Sequence, residues 1–289
     1  MIFITGAGGK TGRALIKMLS EVESICALIH REEQRTILQS LGADKIVLGD
    51  IRDDDAIRYG LQGARAVYHI CPNMSPDEVF IGKLVIDEAR NAGVEHFVYH
   101  SVLHPQTEKM MHHWRKLRVE EMIFEAGLPF TILQPAPYMQ NLLASWGTIL
   151  RDGVLRVPYS VDSKLSFVDL EDVAEAARTV LTGANHKNAT YELAGTVPMS
   201  HIEVADILSH VLNTTVRPEK EEMGDWSLRA EQNPGISGFA VEDLIKMFDY
   251  YDQCGLAGNP NVLWWLLKRE PTSLAAFVQR IGKEHDAIH

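Results

Sequence analysis

The opening stretch, MIFITGAGGKTGRALIKML, constrains the fold of this chain more than any other part of it. A short apolar run leads into Gly6, Gly9 and Gly12, and apolar residues at helical spacing follow. Strand, glycine turn and helix in this order form the fingerprint that holds the pyrophosphate of a dinucleotide. Gly6 permits the tight turn, Gly9 lets backbone N–H groups approach the ligand, and Gly12 lets the helix pack close to the strand.

The spacing of these glycines is G-x-x-G-x-x-G, with Gly8 also present, so an ordinary glycine turn is the alternative interpretation. The letters GKT within the loop also resemble the phosphate loop of nucleoside triphosphatases. That motif requires a glycine where this chain has Ile4, which excludes it. Lys10 and Thr11 remain in the loop as candidate cofactor-binding residues.

Length and charge limit the classes of function. A chain of 289 residues can form one large domain or two modest ones. Its net charge of −11 repels nucleic acid, so we predict no nucleic-acid partner. The 3 cysteines contain no C-x-x-C, which fits a reducing compartment. The N-terminus lacks a signal pattern, and the apolar run Val262–Leu267 is too short to span a bilayer. We therefore expect a cytoplasmic protein with no membrane segment.

Apolar runs alternate with amphipathic helices along the first half of the chain. The predicted strands are residues 1–5, 24–29, 45–48, 63–70, 95–102 and 130–133, and the predicted helices are residues 13–19, 32–41, 80–93 and 110–126. Strands that are almost continuously apolar indicate a parallel sheet covered on both faces. We predict an α/β fold, a doubly wound parallel sheet of the Rossmann type with a smaller C-terminal substrate-binding part.

The pattern loosens beyond residue 145. We predict a helix that starts at 169–172, a last short strand at 191–194 and a helix at 200–212. Residues 217–240 are charged and turn-rich, and we interpret them as a candidate lid. The expected organisation is a dinucleotide-binding domain at 1–150 and a substrate-binding domain at 151–289, with 165–195 returning to the Rossmann core.

The tip of the second strand indicates which nucleotide is bound. In dinucleotide folds an acidic residue there binds the 2′-hydroxyl of NAD, whereas an arginine accommodates the 2′-phosphate of NADP. Here Arg31 comes first and Glu32 and Glu33 only afterwards, while Lys10 can reach the same phosphate. This order favours NADP(H). The alternative is that Arg31 merely begins a solvated helix.

A carboxylate also follows the third strand. Asp50 stands where it can accept a hydrogen bond from the adenine amino group. Asp54 and Asp55 lie at an acidic helix start instead, where we expect one of them to cap the helix.

With these residues in hand, the chain resembles the NmrA-like family of atypical short-chain dehydrogenases/reductases, and in particular its NADPH:quinone reductase-type members. The most specific part is the run FVYHSVLHPQTEKMMHHWRKLRVEEMIFEAGLPFTILQPAPYMQNL. FVDLEDVAEAA, YELAG and REPTSLAAFV resemble later segments of the same family. The resemblance covers most of the chain and is weakest at about 215–265. It implies that NADP(H) and a small-molecule substrate are bound.

The resemblance also assigns roles to single residues. It places the glycine loop at the pyrophosphate and Arg31 at the 2′-phosphate. The other implied cofactor contacts are Asp50 and Ile51 at the adenine, Cys71 and Pro72 along the fourth strand, Lys116 at the nicotinamide ribose, and Tyr138 and Asn141 in the loop over the nicotinamide. The usual catalytic serine falls at Ser101 or Val102.

The catalytic motif departs from the usual pattern. Ordinary short-chain dehydrogenases use Tyr-x-x-x-Lys, in which the lysine lowers the pKa of the tyrosine. Here His112 stands in place of the tyrosine, one helical turn before Lys116, so the two share a face. A histidine titrates near neutrality and can relay a proton, and Lys116 can assist it. The alternative is that Lys116 only positions the ribose and that His112 is a polar surface residue.

Three further features have competing interpretations. His96, His100 and His104 have a metal-ligand spacing for a helix, but they fall on a predicted strand and loop, so we predict no metal site. Cys71 is either redox-active or a buried structural thiol. The pair Trp264-Trp265 is a substrate wall, part of a helix core or a dimer face.

Two functions of different classes follow. One is a reductase that moves a hydride from NADPH to a quinone, enone or carbonyl, with Lys116 and His112 as catalytic candidates. The other is a non-catalytic NADPH-sensing protein that binds a regulatory partner, and a homodimer is a further candidate assembly. The missing tyrosine favours the sensor, and the pocket-forming C-terminal part favours the reductase.

Overall fold

The computed structural model describes residues 1–233 and 235–286. The strands β1 to β9 are Ile2–Ile4, Ile25–Ile29, Lys45–Leu48, Ala66–His69, His96–His100, Phe130–Pro135, Val154–Val157, Ala189–Leu193 and Arg217–Lys220. The helices α1 to α12 are Lys10–Leu19, Arg35–Ser40, Asp54–Leu61, Glu78–Asn91, Met111–Glu125, Trp146–Asp152, Leu170–Thr182, His201–Leu212, Met223–Glu231, Gly238–Cys254, Asn261–Leu267 and Leu274–Asp286. Two 3-10 helices cover Glu32–Gln34 and Met139–Ser145. Within the described residues, no helix has the length and apolarity that a membrane crossing requires.

Seven strands form one sheet in the order β3-β2-β1-β4-β5-β6-β8. The inner strand β1 pairs in parallel with both β2 and β4, where Ile2 lies opposite Ile25 and Ala66. The chain therefore builds outward from β1 in one direction and then from β4 in the other. In a sheet of this kind, ligands bind at the carboxyl ends of the strands where the order reverses. The predicted Rossmann-type α/β fold is confirmed.

The inner strands are buried along their whole length, which explains why their sequences are almost continuously apolar. Every residue of β1, β2, β4 and β5 is buried. Phe3, Val67, Phe97 and Ile132 belong to one core cluster beneath the sheet's helices. Removing this much apolar surface from water is the dominant favourable contribution to folding.

The chain divides into two compact units. The first unit comprises residues 1–108, 112–134 and 173–191, and the second unit comprises the rest of the described chain. In the second unit, β7 and β9 form a two-stranded parallel sheet, and α8 packs against α12. The expected domain boundaries at 1–150 and 151–289 stay a prediction.

The prediction that the strand at 191–194 is the last one is wrong. β7 and β9 were both missed, and β9 follows β8 in the chain. The strand β9 reads RPEK, which has no apolar alternation, and its Pro218 lies opposite Leu155. Proline lacks the N–H that a central strand needs, but a strand at the edge of a sheet tolerates it.

The turn-rich interpretation of residues 217–240 is also wrong. This segment contains β9, α9 and the start of α10, and Pro234 within it lies outside the described residues.

The predicted cap of α3 needs a correction as well. Asp53 precedes the helix and accepts from the backbone N–H of Asp55, so neither Asp54 nor Asp55 is the cap.

Candidate functional site

The glycine loop after β1 has the shape that a pyrophosphate site requires. Gly6 has φ +60°, and a Cβ on it would lie 2.7 Å from the carbonyl oxygen of Ile70. A Cβ on Gly12 would lie 2.6 Å from the carbonyl oxygen of Ala7, so the close approach is to the loop and not to the strand. Gly9 is the N-cap of α1. The first-turn N–H groups of a helix have no intrahelical acceptor and favour an anion, so these residues fit a dinucleotide.

Gln34 packs against this loop, and sequence reasoning missed it. A Cβ on Gly8 would lie 2.2 Å from Nε2 of Gln34, whose side chain is buried. Oε1 of Gln34 accepts from the backbone N–H of Arg31 at 3.4 Å. The side chain thus joins the glycine loop to the tip of β2. Nothing in the sequence marks it, because it stands in a polar segment.

Cationic side chains lie at the two positions expected for the 2′-phosphate. Arg31 caps the 3-10 helix after β2 with its side chain exposed, and Lys10 is exposed in the first turn of α1. The next residue, Glu32, is already bonded to Arg35. The structure therefore places Lys10 and Thr11 in the loop and Arg31 at the strand tip, and their contacts with a nucleotide stay a prediction.

The predicted adenine contact, Asp50, is held by a neighbour. Arg52 donates to both carboxylate oxygens, at 3.0 Å from Nε and 2.7 Å from Nη2. These bonds, with the backbone N–H of Arg52, lower the pKa of Asp50 to about 2. The exposed carboxylate is ionised and can still accept a further hydrogen bond. Ile51 beside it is half-buried.

Cys71 follows β4 and is buried, whereas Pro72 beside it is exposed. Burial raises the pKa of the Cys71 thiol, and the charge of Glu78 raises it further. The thiolate is the reactive form of cysteine, so this environment favours the structural interpretation over the redox one.

A buried ion pair is the centre of the site. Nζ of Lys116 donates to Oε1 of Glu78 at 3.0 Å, and the hydroxyl of Tyr99 donates to the same oxygen at 2.7 Å. All three residues are buried. Burial raises the pKa of Glu78, but the ammonium of Lys116 and the hydroxyl of Tyr99 outweigh it, so the net shift is downward. Glu78 therefore stays ionised and fixes the position of Lys116.

This pair is connected to the glycine loop. Thr5, directly before Gly6, has its Oγ1 2.8 Å from Nδ1 of His69. The imidazole of His69 stacks on the ring of Tyr99, with the centroids 5.7 Å apart. Tyr99 in turn holds Glu78. The contacts run from the glycine loop to Lys116 along the carboxyl ends of β1, β4 and β5, where the fold predicts a ligand.

The hydroxyl of Ser101 is engaged in a hydrogen bond within the protein. Its hydroxyl donates to Glu120, and Nε2 of Gln134 donates to both oxygens of Glu120, at 2.9 and 3.0 Å. All three side chains are buried. Burial raises the pKa of Glu120, and the bonds from Ser101 and Gln134 only partly offset it. Ser101 therefore serves a buried polar cluster, and its predicted cofactor contact remains untested.

The environment of His112 differs from both sequence interpretations. The residue is buried, not a polar surface residue. Burial, with the charges of His113, Lys116 and Arg115, lowers the pKa of His112 to about 2. The expectation that it titrates near neutrality is therefore wrong, because the imidazolium loses its hydration there. His112 and Lys116 still lie one turn apart on α5, as predicted.

Two of the three histidines at four-residue spacing have separate hydrogen-bond partners. His96 bonds Thr131 at 2.8 Å, and His100 bonds the hydroxyl of Tyr68 at 2.8 Å. His104 lies beyond β5 with φ 55°. Among residues 1–233 and 235–286, no group of three His, Cys, Asp or Glu side chains is arranged to hold a metal ion.

The remaining candidates belong to the second unit. Tyr138 precedes the 3-10 helix Met139–Ser145 and accepts at its carbonyl from the N–H of Asn141, 3.0 Å away. Their role above the nicotinamide stays a prediction. Trp264 and Trp265 are 49% and 56% exposed, so the helix-core interpretation of the pair is wrong.

Sequence reasoning missed the two carboxylates that organise the site. Glu120 stands one turn after Lys116, so the stripe of His112, Lys116 and Glu120 on one helix face was a usable signal. Glu78 gave no such signal. It looks like an ordinary first-turn acid of α4, and its partners Tyr99 and Lys116 are far away in sequence.

Comparison with known proteins agrees with this fold. The sequence profile of the NmrA-like family matches residues 1–275. The chain belongs to the NmrA-like family. This membership confirms the resemblance to atypical short-chain dehydrogenases/reductases.

Several relatives of this chain are reductases. Quinone oxidoreductase 2 of Escherichia coli is 30% identical over 283 residues, which cover 97% of this chain and 98% of that protein. NAD(P)H azoreductase of Xenophilus azovorans is 29% identical over 219 residues, or 75% of this chain and 76% of the relative. The crystal structure of the E. coli NADPH-dependent quinone oxidoreductase QOR2 with NADPH superposes with a TM-score of 0.85 at 26% identity, covering 98% of this chain and 100% of that one. Solved structures of this fold hold NADPH, NADP or NAD.

Proposed function

We propose that this protein is an NADPH-dependent reductase that moves a hydride to a quinone, an enone or a carbonyl. The observation that carries the proposal is the buried pair of Lys116 and Glu78 at the carboxyl end of the sheet. An ammonium held in a dry site stabilises an oxyanion that develops next to it, and its fixed position avoids the cost of reorganisation. The reductase activities of relatives support the same conclusion.

The residues of the chain divide the work. Gly6, Gly9 and Gly12 hold the pyrophosphate, while Arg31 and Lys10 favour the 2′-phosphate of NADP(H) over NAD. When bound, NADPH supplies the hydride. The other proposed cofactor contacts in the first unit are Thr11, Asp50, Ile51, Cys71, Pro72 and Ser101. The contacts proposed for Tyr138 and Asn141 rest on the family resemblance alone. A cytoplasmic location is part of the same proposal.

The test follows NADPH absorbance with a panel of quinones, enones and aldehydes. We expect turnover in the wild type and a loss of about a hundredfold or more in kcat for Lys116→Ala, since one stabilising group is removed. Lys83→Ala, which alters a lysine with a 64% exposed side chain on α4, is the matched control and should keep its rate. NADPH binding without turnover of any acceptor would contradict the reductase function.

A second function has one observation in its favour. A buried imidazole, that of His112, stands in place of the catalytic tyrosine, so the hydroxyl that serves as the usual acid is absent. We therefore retain a non-catalytic NADPH sensor that binds a regulatory protein, or a second copy of this chain, as the alternative. This alternative predicts a protein partner whose affinity for this chain changes when NADPH is bound. It also predicts no NADPH oxidation with any quinone, enone or aldehyde of the panel.

A further inference from the structure

We propose that His112 is a neutral hydrogen-bond donor, which presents Nε2–H to the oxygen of the bound acceptor and keeps its own proton throughout the reaction. The inference rests on the proposed reductase function and specifies how that site handles charge. It replaces the idea of a proton relay at this position.

The imidazole of His112 belongs to the N-terminal turn of α5. His112 is the second residue of α5, and its side chain packs edge-on against His113, with the ring centroids 4.4 Å apart at 84°. Only 8% of its surface is exposed. The positive end of the helix dipole lies at this terminus and disfavours a cation there. A neutral imidazole at a helix N-terminus is a known way to polarise a carbonyl.

The two ring nitrogens have different surroundings. Nδ1 is fully buried and has no hydrogen-bond partner among the described residues. Nε2 does not combine these two properties. A neutral imidazole carries one proton, so one nitrogen donates and the other accepts. Buried N–H groups without an acceptor are rarer in proteins than buried acceptors without a donor. We therefore place the proton on Nε2.

The charges that act on the ring support its neutrality. The groups that bear on His112 are His113, Lys116 and Arg115, and each lowers its pKa in addition to the effect of burial. The resulting pKa of about 2 keeps the ring neutral across the physiological range. Its pH response should therefore be flat where an ordinary histidine titrates.

His112 and Lys116 then form a pair of donors. They lie one turn apart on α5, about 5–6 Å between Cβ atoms in such a spacing. Two fixed donors that face one oxygen stabilise the negative charge that appears on it when the hydride arrives. Neither needs to give up a proton for this purpose. The proton that neutralises the oxygen of the product comes from water.

The first experiment observes the ring without any ligand. Long-range ¹H–¹⁵N correlation of histidine-labelled wild-type protein distinguishes the two neutral tautomers, and the His112 signals are assigned by their absence from His112→Gln. We expect an Nε2–H tautomer whose shifts do not change from about pH 5.5 to 8. A titration within that range, or a proton on Nδ1, overturns the proposal.

The second experiment uses the geometry of two amides. The side-chain NH₂ of glutamine occupies approximately the place of Nε2, and that of asparagine the place of Nδ1. We expect His112→Gln to keep most of kcat, and His112→Asn and His112→Phe to lose about a hundredfold, because they lack the donor. His96→Gln, at the opposite end of β5, is the matched control for a buried imidazole and should keep the wild-type rate.

The outcomes separate the two levels of the argument. Equal rates for the Gln and Asn variants overturn the donor role in an enzyme that remains a reductase. A wild type that binds NADPH but turns over no acceptor overturns the reductase function, and the donor role with it. The tautomer measured by NMR is informative in either case, since it needs neither cofactor nor acceptor.

Discussion

At the scale of single residues, the glycines of this chain differ in what their missing side chain allows. Gly12 is enclosed, because a Cβ there would lie within 2.5 to 2.7 Å of three backbone atoms of Ala7. Gly147, by contrast, faces open space within 4 Å. Backbone cannot swing aside as the end of a flexible side chain can, so only the first position depends on glycine.

We predict opposite effects for alanine at these two glycines. Gly12→Ala should lower the free energy of unfolding by about 1–3 kcal/mol and weaken NADPH binding about tenfold or more, because the loop must shift. Gly147→Ala, in α6, should raise the stability by up to about 1 kcal/mol through helix propensity. Urea unfolding and calorimetry measure the two effects. Unchanged NADPH affinity in Gly12→Ala would refute the proposed pyrophosphate loop.

At the scale of elements, the start of α4 and the middle of α5 each place a carboxylate in the site, and the two are buried in different company. Glu78 has an ammonium partner, Lys116, and its pKa is lowered. Glu120 has neutral partners, Ser101 and Gln134, and its pKa is raised. One acid therefore stabilises the fold when ionised, and the other destabilises it.

The glutamine variants of Glu78 and Glu120 should therefore differ in their effect on stability. Glu78→Gln should cost about 3–5 kcal/mol at neutral pH, because it leaves the buried ammonium of Lys116 unpaired. That cost should shrink on acidification, since a carboxyl with a lowered pKa contributes its stability above its unfolded value of 4.5. Glu120→Gln should leave the free energy of unfolding unchanged or raise it at neutral pH. Any such gain should disappear in acid, because Glu120 itself is then protonated. Urea midpoints at several pH values measure the stability of both variants. The same pH dependence in the two variants would contradict the opposite pKa shifts of Glu78 and Glu120.

At the scale of the whole molecule, buried imidazoles set the response to acid. Burial lowers the pKa of His69, His96, His113 and His201 to about 4, that of His100 to about 3 and that of His112 to about 2. In the unfolded chain each returns to an ordinary value near 6.5. The unfolded state thus binds more protons below pH 6.5, so stability is complete above that pH and is lost as the pH falls.

We therefore predict that the free energy of unfolding falls steeply once the pH drops below about 6.5, by up to about 1.4 kcal/mol per unit for each such histidine. The measurement is a series of urea titrations from neutral to mildly acidic pH. His96→Gln removes one contributing imidazole, so its slope should be shallower than that of the wild type. A flat pH profile would show that these rings take up protons in the fold.

The sequence predicted those parts of the molecule that depend on local pattern. The strands of the large sheet were recognisable because both faces are buried, and the loop because glycine has few substitutes at Gly6 and Gly12. The strand β9 was missed because Pro218 and its charged neighbours suit only a sheet edge. The Glu78 partnership and the low pKa of His112 depend on neighbours brought together by folding, and no periodicity encodes them.

The side chain of Gln34 above Gly8 has a consequence for how such a loop can change over time. The end of the Gln34 side chain fills the space that a Cβ on Gly8 would take, so a side chain at position 8 requires the end of Gln34 to move aside. A homologous chain with a β-carbon at the place of Gly8 must either turn the end of the Gln34 side chain away or carry a shorter residue at that place. Either change disturbs the hydrogen bond that Gln34 accepts from the backbone N–H of Arg31, so this one side chain couples the conformation of the glycine loop to that of the tip of β2.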